Sequence, residues 1–576
     1  GAPVSATRTD PTTITVTYPE SRQTPPTEED VTLTYQTGEE SAQRLDCTLT
    51  YDEETRTATI THPSVARDVE TETTFELSLS SAKFRQTVTL PADESYVKPE
   101  IAEIRDLKNG SATIVLVQKP AVDLTTASVT IAYQDYDGND AQAAVNKVEK
   151  VDDVTYRVEF GLIPAREQDK TYTLRFTVGE STAEGQLTVV TTAGKTFYLD
   201  ATGGNDNNDG TSPETAWQSI EKVNSTTFLP GSQILLKCGE TWTGMLWPKG
   251  SGAEGSPIIL SSYGTGDLPR ILMDEDANMT EDLMRVATPM YGRRVNQTFY
   301  LHNQSYWEIS NIEFANPGFD EDNHVDPSRE MERGMYITAE DVGQIDHIYI
   351  NNVYIHGFQG NDKGNIGKES GGIIFFVNPS FQASERRPTW FNDVRITNCT
   401  IEDVGRSGFF LLSPWKTREM TENGQWGGRW SVVNSAGEGS LGEFTPSTNI
   451  YIGSNIIRRI DGDGIILQCM DGVVTEYNLV DEPCYDTAAA AGIFPYLVSN
   501  AVIQYNEVSR AYLANDAQGI EVDALNENVA VKYNYSHQNV GGFVQFCTPA
   551  NLPSFVSYYC CNSSQGDAGF FALLYT

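Results

Sequence analysis

The chain has 576 residues, too many for a single compact core. Its formal charge is −39, with 79 acidic against 40 basic residues spread over the whole length, which disfavours nucleic acid and anionic membrane surfaces as partners. No apolar run reaches the roughly 18 residues of a membrane helix, so no membrane-spanning segment is expected.

Residues 1–97 alternate apolar and polar in short runs (TITVTY, VTLTYQ, TATITH, FELSLS, RQTVTL) broken by Pro, Asp and Gly. That pattern predicts an immunoglobulin-like β-sandwich. Residues 98–193 repeat it with SATIVLVQ, SVTIAYQ, YRVEF, YTLRFTV and GQLTVV, which predicts a second sandwich. Neither module holds a His, Cys or acid motif of catalytic type, so both are expected to space or dock the rest, with direct glycan binding as the alternative. The opening GAPVS carries no signal peptide and reads as a mature or trimmed start.

Composition shifts at TTAGKTFYLDATGGNDNNDGTSPETAWQSIEKVNSTTFLPGSQILLKCGETWTG. This stretch resembles the amino-terminal cap and first coil of secreted β-helix enzymes that act on polysaccharides. The resemblance implies that the 203–210 loop, a helix over 213–223 and the Pro230-Gly231 turn close one end of a solenoid. Asp200, Asp206 and Asp209 could bind a structural calcium ion, since hard cations take clustered carboxylates. A solvated Asn/Asp turn is the plainer reading, and no catalytic metal or other cofactor is expected.

From Gly464 to Tyr575 the chain repeats. Asn478, Asn506, Asn534 and Asn562 are spaced by 28 residues, and Gly464, Gly492, Gly519, Gly542 and Gly569 follow at 28, 27, 23 and 27. Such a period means one supersecondary unit stacked on its own copies. Each copy holds short β-branched or aromatic segments (GIILQC, GIFPYL, GIEVD, GGFVQFC, GFFALL) turned by Asn and Gly, with no helical periodicity. The expected fold class is therefore all-β: a right-handed parallel β-helix over 194–576, preceded by two immunoglobulin-like β-sandwich domains. Asn at one place per coil can form a ladder of stacked amides. The closing GFFALLYT stops mid-strand, so further chain or another element is expected to cover that edge. Cys399, Cys469, Cys547, Cys560 and Cys561 fall on strands and are read as buried free thiols, without the CxxC spacing of a zinc site.

The rhythm breaks over 413–449, an insertion carrying Trp415, Trp426 and Trp430. Indole faces stack on sugar rings, so this loop is one candidate wall of a substrate groove. Packing of the indoles onto the solenoid is the alternative.

Aligning the coils by glycine pairs Ile520, Glu521, Val522, Asp523 with Ile465, Ile466, Leu467, Gln468 and with Ile493, Phe494, Pro495, Tyr496. Alternation turns Ile520 and Val522 inward and both acids outward, about 7 Å apart along the strand. Asp461, Asp463, Asp516 and Asp567 stand at coil corners nearby, Asp463 and Asp567 about two rungs from Asp523 on opposite sides, roughly 10 Å. Carboxylates at such separations suit glycoside hydrolysis, one protonated to release the leaving oxygen and one ionised as nucleophile or base. A corner Asp that merely caps its turn is the plainer reading. Gln468, Tyr496, His537 and Arg406 are candidate sugar contacts, with Arg510, Lys532 and His356 as weaker ones.

The segment DAQGIEVDALNENVAVKYNYSHQNVGGFVQFC, followed by YYCCNSSQGDAGFF, resembles the last coils of the pectin-lyase-like β-helix glycoside hydrolases that include α-L-fucosidases and xylanases. With the cap, the resemblance covers about residues 195–576. It implies that Asp523 and Asp567 are the acid pair. The chain departs from that pattern with Ile-Glu before Val-Asp and Cys-Cys-Asn before Ser-Ser. The function expected is a secreted, periplasmic or cell-surface hydrolase, a monomer, acting on a polysaccharide or oligosaccharide. Two alternatives stay open: a polysaccharide lyase using Lys532 with Asp516 and Asp523, and a non-catalytic glycan-binding adhesin.

Overall fold

The computed structural model describes the chain except residues 1–2, 4, 11, 20–24, 38–40, 64–72, 81–82, 91–97, 275–294, 317–330, 360–367, 379–383, 385, 420–428, 431–441, 488, 514–515, 548–554 and 576. It forms two compact units, Gly1–Leu162 with Tyr172–Leu187, and Ile163–Thr171 with Thr188–Thr576.

The first unit is built of four-stranded sheets. Two lie within residues 5–90 and two within residues 101–189, with no strand shared between these pairs. Alternation does the work in each: Ile14, Val16, Leu33, Ile60, Phe75 and Leu77 point inward in the first pair and are fully buried. Ile114, Ile131, Val158, Leu174 and Phe176 do the same in the second.

The second unit is an all-β solenoid with three parallel strands per coil. The first ladder runs through β1 (Val295–His302), β2 (Met331–Glu340), β3 (Gly371–Asn378), β4 (Ser407–Leu412), β5 (Asp463–Asp471), β6 (Ile493–Ser499), β7 (Ile520–Val522), β8 (Gly542–Cys547) and β9 (Phe570–Tyr575). A second ladder runs from Trp307–Ser310 to Phe555–Cys560, and a third from Thr241–Thr243 to Ser563–Gln565. One continuous apolar core fills the coils, with Ile465, Leu467, Ile493 and Ile520 from the first ladder, Ile452, Ile503 and Val531 from the second, and Ile457, Val480 and Val508 from the third.

The 28-residue period has two physical causes. Asn455, Asn478, Asn506, Asn534 and Asn562 form an amide ladder, each Nδ2 donating to the next Oδ1 at 2.9, 2.9, 3.0 and 3.1 Å. The corner glycines pack rung on rung: a Cβ at Gly408, Gly464 or Gly492 would lie 2.5 Å from the carbonyl oxygen of the next coil's glycine. The residue before each ladder Asn takes the left-handed conformation, as Tyr477, Tyr505, Tyr533 and Cys561. This corner position leaves Cys561 exposed, contrary to the expectation of a buried thiol, whereas Cys399 and Cys469 are buried as free thiols.

At the start of the solenoid the helix expected over 213–223 is broken into a 3-10 turn, Pro213–Thr215, and a short α-helix, Ile220–Asn224. Between them Trp217 extends to bridge Leu199 and stacks on Phe197 at 4.7 Å, which buries the indole against the first coil. The nearby acids cap backbone: Asp200 accepts from Gly203 N–H and Lys237, Asp206 from Gln218 and Ser219 N–H, and Asp209 from Thr211 N–H.

Candidate active site

The outward side of the first ladder changes character along its length. Tyr300, Tyr336, Ile374, Phe410 and Ile466 form one apolar column on β1 to β5, with Phe494 of β6 packed against it. Ile493 pairs with Ile520, so the next rung puts Glu521 in that column beside Phe494. Gln545 of β8 pairs with Glu521 and continues the column. The parallel column runs Gln468, Tyr496, Asp523. Two carboxylates therefore interrupt an aromatic and amide surface, as strand alternation requires.

A third acid, Asp516, comes from the corner that leads into β7. Asp516 and the following Ala517 both adopt left-handed φ, 64° and 55°, a strained arrangement for two non-glycine residues in succession. The backbone there is tightly held: Gly541 passes so close that a Cβ on it would lie 1.7 Å from the Asp516 carbonyl oxygen.

Positive charge enters from two distant segments. Asp463 Oδ2 accepts from Lys368 Nζ and from Arg406 Nη1, each at 2.8 Å, and its Oδ1 accepts the Ala491 N–H at 2.9 Å. Arg406 Nη2 donates to the Ala489 carbonyl at 2.9 Å. Asp463 and Arg406 are fully buried. Lys368 Nζ also stands 4.8 Å from the centre of the Phe494 ring, next to Glu521.

These surroundings separate the carboxyls electrostatically. Burial, then the charges of Asp523, Asp516 and Asp463, push Glu521 up to about 8, with Lys368 opposing. Burial pushes Asp523 up to about 6; the Ala524 N–H and Lys368 pull it down, and Asp516 pushes it up. Asp516 is raised by burial and by Asp463, against Lys368. Lys368 itself is lowered by burial, against the pull of Asp463. Burial and the neighbouring carboxylates thus hold Glu521 above Asp523, so that of the two the glutamate keeps its proton to higher pH.

The chain is similar to lacto-N-biosidases. It is 26% identical over 445 residues to the lacto-N-biosidase of Bifidobacterium longum subsp. longum, a match that takes in 67% of this chain and 27% of that protein. The crystal structure of a GH136 lacto-N-biosidase from Eubacterium ramulus superposes with a TM-score of 0.51 at 25% identity, over 62% of this chain and 58% of that one. The chain thus spans about a quarter of the length of the curated relative and little more than half of the solved one. No protein-family profile matches it.

Within this lacto-N-biosidase-like fold, Glu521, Asp523, Gln468 and Tyr496 share the acidic end of the first ladder. Other expected site residues stand elsewhere or serve other ends. Asp567 faces the coil interior, accepting from Ser536, Ser564 and the Asn539 N–H, so it caps a corner rather than opposing Asp523. Asp463 is consumed by its two cations, and Arg406 clamps it from within instead of reaching toward a sugar. His537 lies on the third ladder, bonded to Glu507 and stacked on Tyr535. Trp415 is buried in the solenoid core, where its large apolar area is best satisfied, and does not wall a groove. Trp426 and the Trp430 side chain lie outside the described residues. Lys532 sits on the second ladder, pairing with Gln504, away from the acids a lyase would need beside it. His356 is hydrogen-bonded to Glu313, and Arg510 forms an ion pair with Asp481.

Two residues of the site were not expected as part of a hydrolytic acid pair. Asp516 entered the sequence analysis as one corner acid among four and as a member of the lyase alternative. Lys368 gave no signal, since it is brought to Asp463 from 95 residues away.

Proposed function

We propose that the chain is a glycoside hydrolase that releases lacto-N-biose units from a complex glycan, using Asp523 and Asp516 as its carboxylate pair. One observation carries the reading: two outward acids of one rung and a third from the corner that leads into it, close enough to shift one another's protonation. The similarity to lacto-N-biosidases supports both the reaction class and the sugar, ahead of the fucosyl and xylan substrates of the wider β-helix hydrolases.

Asp523, held by the Ala524 N–H at 2.7 Å, is the ionised group that attacks the anomeric carbon or activates water there. Asp516 delivers the proton to the leaving oxygen, because it approaches from the corner while Glu521 projects from the same strand face as Asp523. A pair must flank the scissile bond, which two parallel side chains on one strand do poorly. Glu521, neutral at pH 7, donates a hydrogen bond to a sugar hydroxyl. Such an enzyme works where glycans are met, so we place it outside the cytoplasm: secreted, periplasmic or on the cell surface.

The test is hydrolysis of an aryl lacto-N-bioside. Asp523→Asn and Asp516→Asn are each expected to lower kcat by about a thousandfold or more, and Glu521→Gln by far less. Full activity in Asp523→Asn would overturn the reading. An inactive Glu521→Gln beside an active Asp516→Asn would move the proton donor to Glu521.

A further inference from the structure

We infer that Arg418, carried in by the insertion over 413–449, is a positioning residue for Asp523: it holds the turn behind that acid in the backbone arrangement that aims the Ala524 N–H at its carboxylate. The insertion meets the solenoid through a closed stem. Thr417 N–H donates to the Gly442 carbonyl at 2.9 Å, and the Thr417 carbonyl accepts the Phe444 N–H at 2.6 Å. Arg418 follows on this stem and is buried. Its Nη1 donates to the Leu525 carbonyl at 2.9 Å, across 107 residues of chain, and its Nη2 to Ser499 Oγ at 3.0 Å and Glu527 Oε2 at 2.5 Å. The guanidinium lies 4.5 Å from the centre of the Phe444 ring, and Phe444 packs against the cluster of Leu497, Ala524 and Leu525.

The turn so gripped is the one that leaves β7 through Asp523. Leu525 takes a left-handed φ of 60°, which a residue other than glycine keeps only where its neighbours enforce it. The fully buried Asn526 comes next. Its Nδ2 donates to the Asp523 carbonyl at 2.5 Å and to the Pro495 carbonyl at 3.0 Å, while its Oδ1 accepts the Val498 N–H at 3.1 Å. The peptide whose carbonyl Asn526 holds is the same one whose N–H, that of Ala524, donates to Asp523 Oδ1 at 2.7 Å. Arg418 fixes the peptide between Leu525 and Asn526, and Asn526 fixes the peptide between Asp523 and Ala524. Contacts thus run unbroken from the insertion to the carboxylate. Without Arg418 the buried Leu525 carbonyl loses this donor and Leu525 is free to leave the left-handed region, which turns the Ala524 N–H away. That N–H favours the ionised form of Asp523, so its loss makes the acid weaker.

The effect on rate rests on the hydrolase reading; the effect on the Asp523 carboxyl does not. Asp523 also faces Glu521, Asp516, Lys368, Tyr496 and Cys547, and all five are kept in the variants. With an aryl lacto-N-bioside, Arg418→Met is expected to lower kcat by about tenfold to a hundredfold, to leave KM within about twofold, and to move the acid limb of the rate profile upward. Arg418→Lys keeps one donor for the Leu525 carbonyl and should restore most of the rate. Carbon-13 NMR of the aspartate carboxyls, with Asp523 assigned through Asp523→Asn, follows the same ionisation without substrate and should show its midpoint raised in Arg418→Met. Arg418→Gln gives the same readouts should the methionine variant fold poorly. A lower Tm with limb and midpoint unchanged, or a loss through KM alone, would make Arg418 a structural tie and overturn the inference. A raised midpoint in a protein that cleaves no aryl lacto-N-bioside would sink the hydrolase reading and leave the positioning role standing.

Discussion

At the scale of single residues, the acid cluster predicts a pH signature in stability as well as in rate. Glu521 rises from 4.5 to about 8 on folding, through burial first and neighbouring carboxylates second. Its folded state therefore holds the proton more tightly than the unfolded chain. The stability this contributes is fully present below pH 4.5 and is lost as pH rises through about 8. Glu521→Gln is thus expected to raise Tm relative to the wild type by an amount that grows between about pH 5 and 9. A constant offset by calorimetry would show that the carboxyl is not desolvated. Lys368 makes the second prediction. Its charge faces Glu521, Asp516 and Asp523 and lowers Asp523 against burial and the Asp516 charge. Lys368→Met should shift the acid limb of the pH–rate profile, near 6 in the wild type, upward by about one unit. Asp463 would keep Arg406 and the Ala491 N–H, so the fold should persist. An acid limb that stays in place would reduce Lys368 to a partner of Asp463 alone.

At the scale of elements, the amide ladder is the strongest local device. Asn506 Oδ1 accepts both the Nδ2 and the backbone N–H of Asn478, while its Nδ2 donates to the Thr475 carbonyl and to Asn534. Asn506→Ala removes these at once and leaves buried groups of Asn478 and Thr475 unsatisfied, a loss of about 2–4 kcal/mol. Asn562 is only part-buried at the end of the row, so Asn562→Ala should cost visibly less; equal losses in urea titrations would contradict the ladder as the source. The outer row of the third ladder works differently. Arg270 and His356 share Glu313, and Arg458 reaches Glu402; the carboxylates are nearly buried and the basic partners only partly exposed, so solvent screens these contacts in part. Periodicity made the coils and the Asn and Gly positions legible from the residues alone, because each is a local requirement repeated at every turn. The broken cap helix was not legible, since Trp217 left helical geometry to fill a core that only the assembled coils create.

At the scale of the whole molecule, 79 acidic residues against 40 basic ones make self-repulsion the leading long-range term. Raising NaCl from about 10 to 200 mM should therefore raise Tm, as the screening length contracts. A falling Tm would mean that the ion-pair rows outweigh the net charge. No helix among the described residues is long and apolar enough to cross a membrane.

By itself, the sequence was enough to determine the all-β class, the stacked coils, and the outward direction of Glu521 and Asp523, because strand alternation and a 28-residue repeat act over a few neighbouring residues. Only the tertiary structure decided which other groups share that face. It turned Asp567 into a corner cap, locked Asp463 between Lys368 and Arg406, brought in Asp516, and left the Gln468 amide buried without a partner. Those meetings depend on how coils and loops far apart in the chain stack in space, and the charge state of each acid follows from the neighbours it acquires there.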